Sequence, residues 1–166
     1  LVDIPLRKLS ALDRRHGLAL ALFWLVATLA ACGQSNDAYP LFDGGELRLD
    51  QADGRLTFIN YWAVWCAPCR EEIPELNAFA AAHPQRVRVL SVNFDAVTGD
   101  ALRDQIAALD IRFPTLLVDP RSALGVPPPQ GLPETLVLDD RGELLEIRRG
   151  PQTRADLEAV LAEAAP

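Results

Sequence analysis

The stretch Phe58-Ile59-Asn60-Tyr61-Trp62-Ala63-Val64-Trp65-Cys66-Ala67-Pro68-Cys69-Arg70-Glu71-Glu72-Ile73-Pro74 decides how the rest of the chain is read. Its first part belongs to Leu56–Trp62, which is apolar, aromatic and β-branched, the pattern of a buried strand. Its second part opens a helix over 68–82, with Ile73, Leu76, Phe79 and Ala80 on one face. Between them stands a C-x-x-C pair. At a helix start this spacing places one thiol at the N-terminus and the other one turn inside, and it can close a small disulfide. The free N–H groups and the helix-end dipole stabilise a thiolate at Cys66 more than at Cys69. Cys66 is therefore the expected exposed nucleophile, and Cys69 the shielded resolving thiol. Pro68 suits the first helical turn, because its missing N–H would have no partner there. The chemistry follows: the Cys66 thiolate attacks a substrate disulfide, and Cys69 then attacks Cys66 and releases the reduced substrate. The direction reverses if the domain is more oxidising than its partner.

Composition narrows the alternatives. The chain has 166 residues, 49% hydrophobic and 23% charged, with three Cys, two His and no Met. That is the balance of one globular domain, and it excludes a disulfide-dense mini-protein. The formal net charge is −7 and no basic patch is visible, so no nucleic-acid partner is expected. A purely structural disulfide would not require Trp-Cys-x-Pro-Cys at a strand-to-helix junction. Zinc needs about four ligands, and no second C-x-x-C exists. Copper binding through Cys66 and Cys69 would lack His or Met to complete a typical site. The expected cofactor is none beyond the Cys66–Cys69 couple itself, with no metal.

The first 31 residues have the layout of an export signal. Arg7, Lys8, Arg14 and Arg15 outnumber Asp3 and Asp13, and an uncharged run from Leu18 to Ala31 follows. That run is too short to span a bilayer comfortably, since a spanning helix needs about 20 apolar residues. It ends in Leu29-Ala30-Ala31-Cys32, which resembles the lipobox of bacterial lipoproteins and implies a diacylglyceryl anchor on Cys32. The expected organisation is a lipoprotein signal peptide at 1–31, a lipidated Cys and polar tether at 32–45, and a folded domain at 46–166. With the signal removed, every remaining basic residue is Arg.

Punctuation along the domain is regular. A short strand at 46–50 precedes the turn Asp53-Gly54, and His83-Pro84 closes the first helix. Val87–Asn93 reads as a second buried strand and 99–109 as a helix with Leu102, Ile106 and Leu109 on one stripe. A strand at 115–118 ends at Asp119-Pro120, and 127–131 forms a stiff loop. Strands at 135–139 and Leu144–Arg149 flank the hairpin signal Asp140-Arg141-Gly142. A last helix at 153–164 starts from Thr153 as N-cap. The order β-β-α-β-α-β-β-β-α implies an α/β domain, a central mixed sheet with helices on both faces.

The segment from Phe58 to Pro74 resembles the thioredoxin superfamily and, within it, the TlpA/ResA-like thiol-disulfide oxidoreductases of the bacterial envelope. The resemblance covers about residues 40–165. It implies a thioredoxin-like fold with an N-terminal β extension and a short central insertion, here 110–119. It implies that Pro133, in Gly131-Leu132-Pro133-Glu134-Thr135, is the family's cis-proline facing the C-x-x-C, with the backbone of Leu132 pairing with an extended substrate segment. Trp65, Ala67 and Pro68 would join Leu132 in contacting substrate, Trp65 also shielding Cys66. Thioredoxin has a buried Asp six residues before its first Cys; this chain has Asn60, which cannot titrate. Glu72 matches a Glu that the group places near the disulfide, and it is the expected acid/base or pKa-tuning group. The resemblance further implies reductive work in the periplasm, such as keeping apocytochrome or other envelope thiols reduced. Electrons would come from a membrane-embedded thiol transporter, and nothing suggests more than a monomer. Two other readings stay open: a disulfide oxidase or isomerase, and a non-catalytic lipoprotein binding a partner or copper.

Overall fold

The computed structural model describes residues 38–51 and 53–164. Residues 36–166 form one compact unit. The expected signal peptide, the lipobox and Cys32 lie outside the described residues.

The main sheet has five strands. β3 (Leu56–Trp62) lies at its centre, pairing parallel with β4 (Val87–Asn93) and antiparallel with β6 (Glu134–Leu138). β5 (Thr115–Leu116) extends β4 in parallel, and β7 (Leu144–Arg149) extends β6 antiparallel, giving the order β5-β4-β3-β6-β7. Among the described residues, three helices complete the unit: α1 (Ala67–Ala82), α2 (Gly99–Ala108) and α3 (Arg154–Glu163). This is the central mixed sheet flanked by helices that the resemblance implied. Every residue of β4 and nearly every residue of β3 is buried, as both faces of a central strand require.

Alternation along the strands sorts side chains into two cores. Phe58 and Trp62 of β3, Val87 and Val89 of β4 and Val137 of β6 share one cluster with Ile73, Leu76, Phe79, Leu102, Leu157, Val160 and Leu161. The apolar faces of all three helices thus meet a single core. The opposite residues, Ile59, Tyr61, Leu90, Val92, Leu136 and Leu138, pack with Tyr39, Leu49, Leu116 and Val126. Helices were expected at both cores, and the first core receives the buried residues of all three. The second is closed by an N-terminal hairpin and the turn-rich segment that follows β5.

That hairpin corrects the expected domain boundary. Ala38–Pro40, placed in the tether by its polar surroundings, is strand β1, paired antiparallel with β2 (Glu46–Arg48). Gly44 and Gly45 turn the chain at positive φ, which glycine adopts without a Cβ clash. Tyr39 is buried, Leu41 bridges to Leu116, and the N–H groups of Phe42 and Leu117 donate to Thr115 and Pro40 carbonyls at 2.9 Å. The folded unit therefore reaches back at least to Ala38. Strand β5 is correspondingly shorter than expected, since Leu117 and Val118 turn outward beside the hairpin. At the other end, Thr153 caps α3 through a reciprocal capping box with Asp156.

Candidate active site

Cys66 is the N-cap of α1, in extended backbone conformation, and its Sγ accepts a hydrogen bond from the Cys69 N–H at 3.2 Å. The two cysteines are joined in a disulfide, their Cα atoms 5.3 Å apart. Cys69 is wholly buried, and Cys66 retains only 4% of its surface. The order of exposure is the expected one, but Cys66 is not an exposed residue in the oxidised protein. Ala67 and Pro68 beside it are exposed. Arg70 braces the turn ahead of the pair by donating from Nε to the Val64 carbonyl at 3.1 Å.

Trp65 is 61% exposed. It stands edge-on against Phe94 and donates from Nε1 to Asp95 at 2.9 Å, which holds its ring out from the surface. Phe94 is itself partly exposed, so the two rings form an aromatic ridge next to the cysteines.

The Leu132–Pro133 peptide bond is cis. Pro133 is buried and its carbonyl accepts from the Gly150 N–H at 3.0 Å. Leu132 packs against the core that contains Cys66 and Cys69.

Glu72 is buried, with 1% of its surface exposed. Oε2 accepts from Asn60 Nδ2 at 2.9 Å, and Oε1 accepts from the Gln152 backbone N–H at 3.1 Å. Asn60 Nδ2 also donates to Thr135 Oγ1 at 3.0 Å. Burial pushes the Glu72 carboxyl up to about 7, against the pull of the two hydrogen bonds. One helical turn separates it from Cys69, so both groups lie on the buried side of α1. A carboxyl with this value exchanges protons readily near neutrality.

A second buried polar cluster has no counterpart among the residues expected from the sequence. Arg121 and Glu134 form a buried ion pair, and Arg149 approaches the other Glu134 oxygen at 3.2 Å. The Arg121 guanidinium also binds the Pro127 carbonyl and lies 4.1 Å from the centre of the Tyr61 ring. The Tyr61 hydroxyl donates to Asp119 at 2.7 Å, and burial holds the phenol far above its ordinary value. These contacts fix both ends of the segment that carries Leu132 and Pro133. The adjacency of Glu134 to Pro133 was the available signal. Among the described residues, no three His, Cys, Asp or Glu side chains gather as a metal site.

Residues 35–147 match the AhpC/TSA family. The thioredoxin-like protein YneN of Bacillus subtilis is 29% identical over 122 residues, covering 71% of this chain and 70% of its own length. The thiol-disulfide oxidoreductase ResA of Bacillus cereus is 26% identical over 125 residues, covering 75% of this chain and 72% of its own. The crystal structure of StoA from Bacillus subtilis superposes with a TM-score of 0.61 at 25% identity, over 74% of this chain and 93% of StoA. The strand–C-x-x-C–helix unit described above therefore sits on a thioredoxin-like fold shared with proteins named for thiol–disulfide exchange.

Proposed function

The chain belongs to the AhpC/TSA family and is a thiol-disulfide oxidoreductase of thioredoxin-like fold, and from that premise we propose that it works as a reductase of protein disulfides. The asymmetry of the Cys66–Cys69 pair carries the division of roles in this cycle, nucleophile and resolving thiol: Cys66 caps the helix and receives an N–H, whereas Cys69 is sealed in the core. In the reduced protein the Cys66 thiolate attacks one sulfur of a substrate disulfide. A mixed disulfide forms, and the first substrate thiolate leaves and takes up a proton. Cys69 gives its proton to the Glu72 carboxylate and attacks Cys66 Sγ. The second substrate thiolate leaves and is protonated, and the Cys66–Cys69 disulfide remains. Two electrons pass to the substrate, and two must be returned by a membrane thiol transporter. Leu132, beside Pro133, offers backbone groups to an extended substrate segment, with Trp65, Ala67 and Pro68 lining its path.

The absence of His between the cysteines supports the reductive direction, because a strongly oxidising pair gains from an extra group that stabilises the thiolate. A lipid on Cys32 tethers the domain to the membrane on the periplasmic side, where apocytochrome thiols are one fitting substrate. The reduction potential of the Cys66–Cys69 couple, measured in thiol buffers, tests the direction. A value at or below about −250 mV is expected, and one near about −120 mV would reverse the assignment to a disulfide-forming oxidase.

A further inference from the structure

Beside Glu72 stands a side chain with a buried oxygen that has no partner among the described residues. Asn60 is buried in the centre of β3, and its Nδ2 sits between two oxygens, 2.9 Å from Glu72 Oε2 and 3.0 Å from Thr135 Oγ1. Its Oδ1 is buried and has no hydrogen-bond partner among the described residues. A buried amide oxygen left bare is costly and calls for an explanation. We propose that Asn60 is a positioning residue for Glu72, a reversible amide that hydrogen-bonds the Glu72 side chain in both of its protonation states, with the Thr135 hydroxyl as counterpart.

The geometry works in either sense. With Glu72 ionised, Nδ2 donates to Oε2 and to Thr135 Oγ1, as observed. With Glu72 protonated, a half-turn of the amide puts Oδ1 in the same place, where it accepts from the Oε2–H and from the Thr135 O–H. A hydroxyl can donate or accept, so Thr135 follows the change without moving. In either orientation one amide atom faces no partner, so the charge on Glu72 decides which orientation is held. The proton is confined to Oε2, because Oε1 faces the Gln152 N–H, which only donates. An Asp at position 60 would compete for that proton, and an aliphatic residue would serve neither state.

Besides Glu72, the charged groups on the surrounding elements are Arg70, Glu71 and Glu75 on α1, Glu134 on β6, Glu146, Arg148 and Arg149 on β7, and Arg154, Asp156, Glu158 and Glu163 on α3. Glu75 is engaged by the Arg154 N–H, Arg148 by the Gln152 side chain, and Glu134 by Arg121 and Arg149. The Glu72 carboxyl is moved by burial and its two hydrogen bonds rather than by any of these charges.

The inference rests on the reading of Glu72 as proton carrier for Cys69, but its test in the oxidised protein does not need catalysis. The full chain, labelled with ¹³C and ¹⁵N, is titrated from about pH 5 to about pH 9 while the Glu72 Cδ and the Asn60 side-chain amide are followed by NMR. The expected result is a common midpoint, with the Asn60 amide protons close to Thr135 above it and turned away below it. E72Q, an uncharged stand-in for the acid, should hold the turned orientation at every pH. N60L should raise the Glu72 midpoint by about one pH unit, because a charge-assisted donor is lost. In a disulfide-reduction assay its pH–rate profile should rise by the same amount. An Asn60 amide that stays fixed through the Glu72 titration, or a Glu72 that does not titrate in this range, would overturn the proposal. If the amide turns but Glu72 has the same midpoint in oxidised and reduced protein, the proton-carrier reading fails and the Asn60 assignment stands.

Discussion

Glu72 and Glu134 are both buried carboxyls, and their surroundings treat them in opposite ways. Glu134 is matched by two guanidinium groups, whereas Glu72 meets only neutral donors, so burial dominates and its value rises to about 7. The unfolded chain has no such burial and returns Glu72 to an ordinary 4.5. Between those values the folded protein holds a proton that the unfolded chain has lost. Stability from this group is therefore complete below about pH 4.5 and declines as pH rises toward about 7. At about 1.4 kcal/mol per pKa unit, the loss amounts to about 3 kcal/mol. E72Q lacks the ionisation and so lacks the decline. Urea unfolding at about pH 5 and about pH 8 should show the variant gaining on the parent by about 2–3 kcal/mol between the two. Parallel pH dependence in both proteins would mean that Glu72 is ionised throughout.

The segment between β5 and β6 owes its shape to side chains rather than to regular structure. It contains prolines and turns, and Arg121 ties its start to Glu134 at its end while binding the Pro127 carbonyl between. Removing Arg121 leaves the buried Glu134 with only the more exposed Arg149, and breaking a buried pair costs about 3–5 kcal/mol. R121M should therefore destabilise strongly, and R121M/E134L should recover much of the loss, because the second change removes the stranded carboxylate. Thermal unfolding of the two proteins measures this; equal losses in single and double variants would show that the pair contributes nothing beyond its separate contacts. Beyond the adjacency of Glu134 to Pro133, this clamp leaves no mark in the sequence, where Arg121 and Glu134 are charged residues among turn signals and such residues are normally solvated. By contrast, β3, α1 and β4 were legible because long apolar runs and a 3.6-residue stripe leave little choice of period. Strand β1 was missed because the Asp43-Gly44-Gly45 turn and its polar flanks resemble a tether. Alternating Tyr39 and Leu41 before that turn carry the hairpin signal, and it is a faint one. At the site, the cysteines were singled out by the C-x-x-C spacing and Glu72 by the family resemblance, whereas the Gln152 N–H was not, because a backbone donor leaves no mark in residue identity.

The disulfide belongs to the same core as Phe58, Trp62, Phe79 and the apolar faces of all three helices. Its redox state is thus a property of the whole fold, linked to global stability by a thermodynamic cycle. If folding stabilises the reduced form, the folded couple becomes more oxidising than the same couple in the unfolded chain; if it stabilises the oxidised form, it becomes more reducing. Three features bear on the sign. The helix N-terminus and the Cys69 N–H favour a Cys66 thiolate and hence the reduced form. Complete burial of Cys69 disfavours a second thiolate, and breaking the bond places two separate sulfurs where one joined pair now packs. The short ring closed by neighbouring cysteines also restrains the unfolded chain, which adds stability to the oxidised form through loop closure. The last two features outweigh the first if the protein is a reductase, because no His between the cysteines adds to thiolate stabilisation. Urea unfolding of oxidised and reduced protein at neutral pH should then find the oxidised form the more stable. Each 1.4 kcal/mol of difference corresponds to about 30 mV between the folded and unfolded couples. A more stable reduced form would give a folded couple poised to donate its disulfide, and the direction of catalysis would follow it.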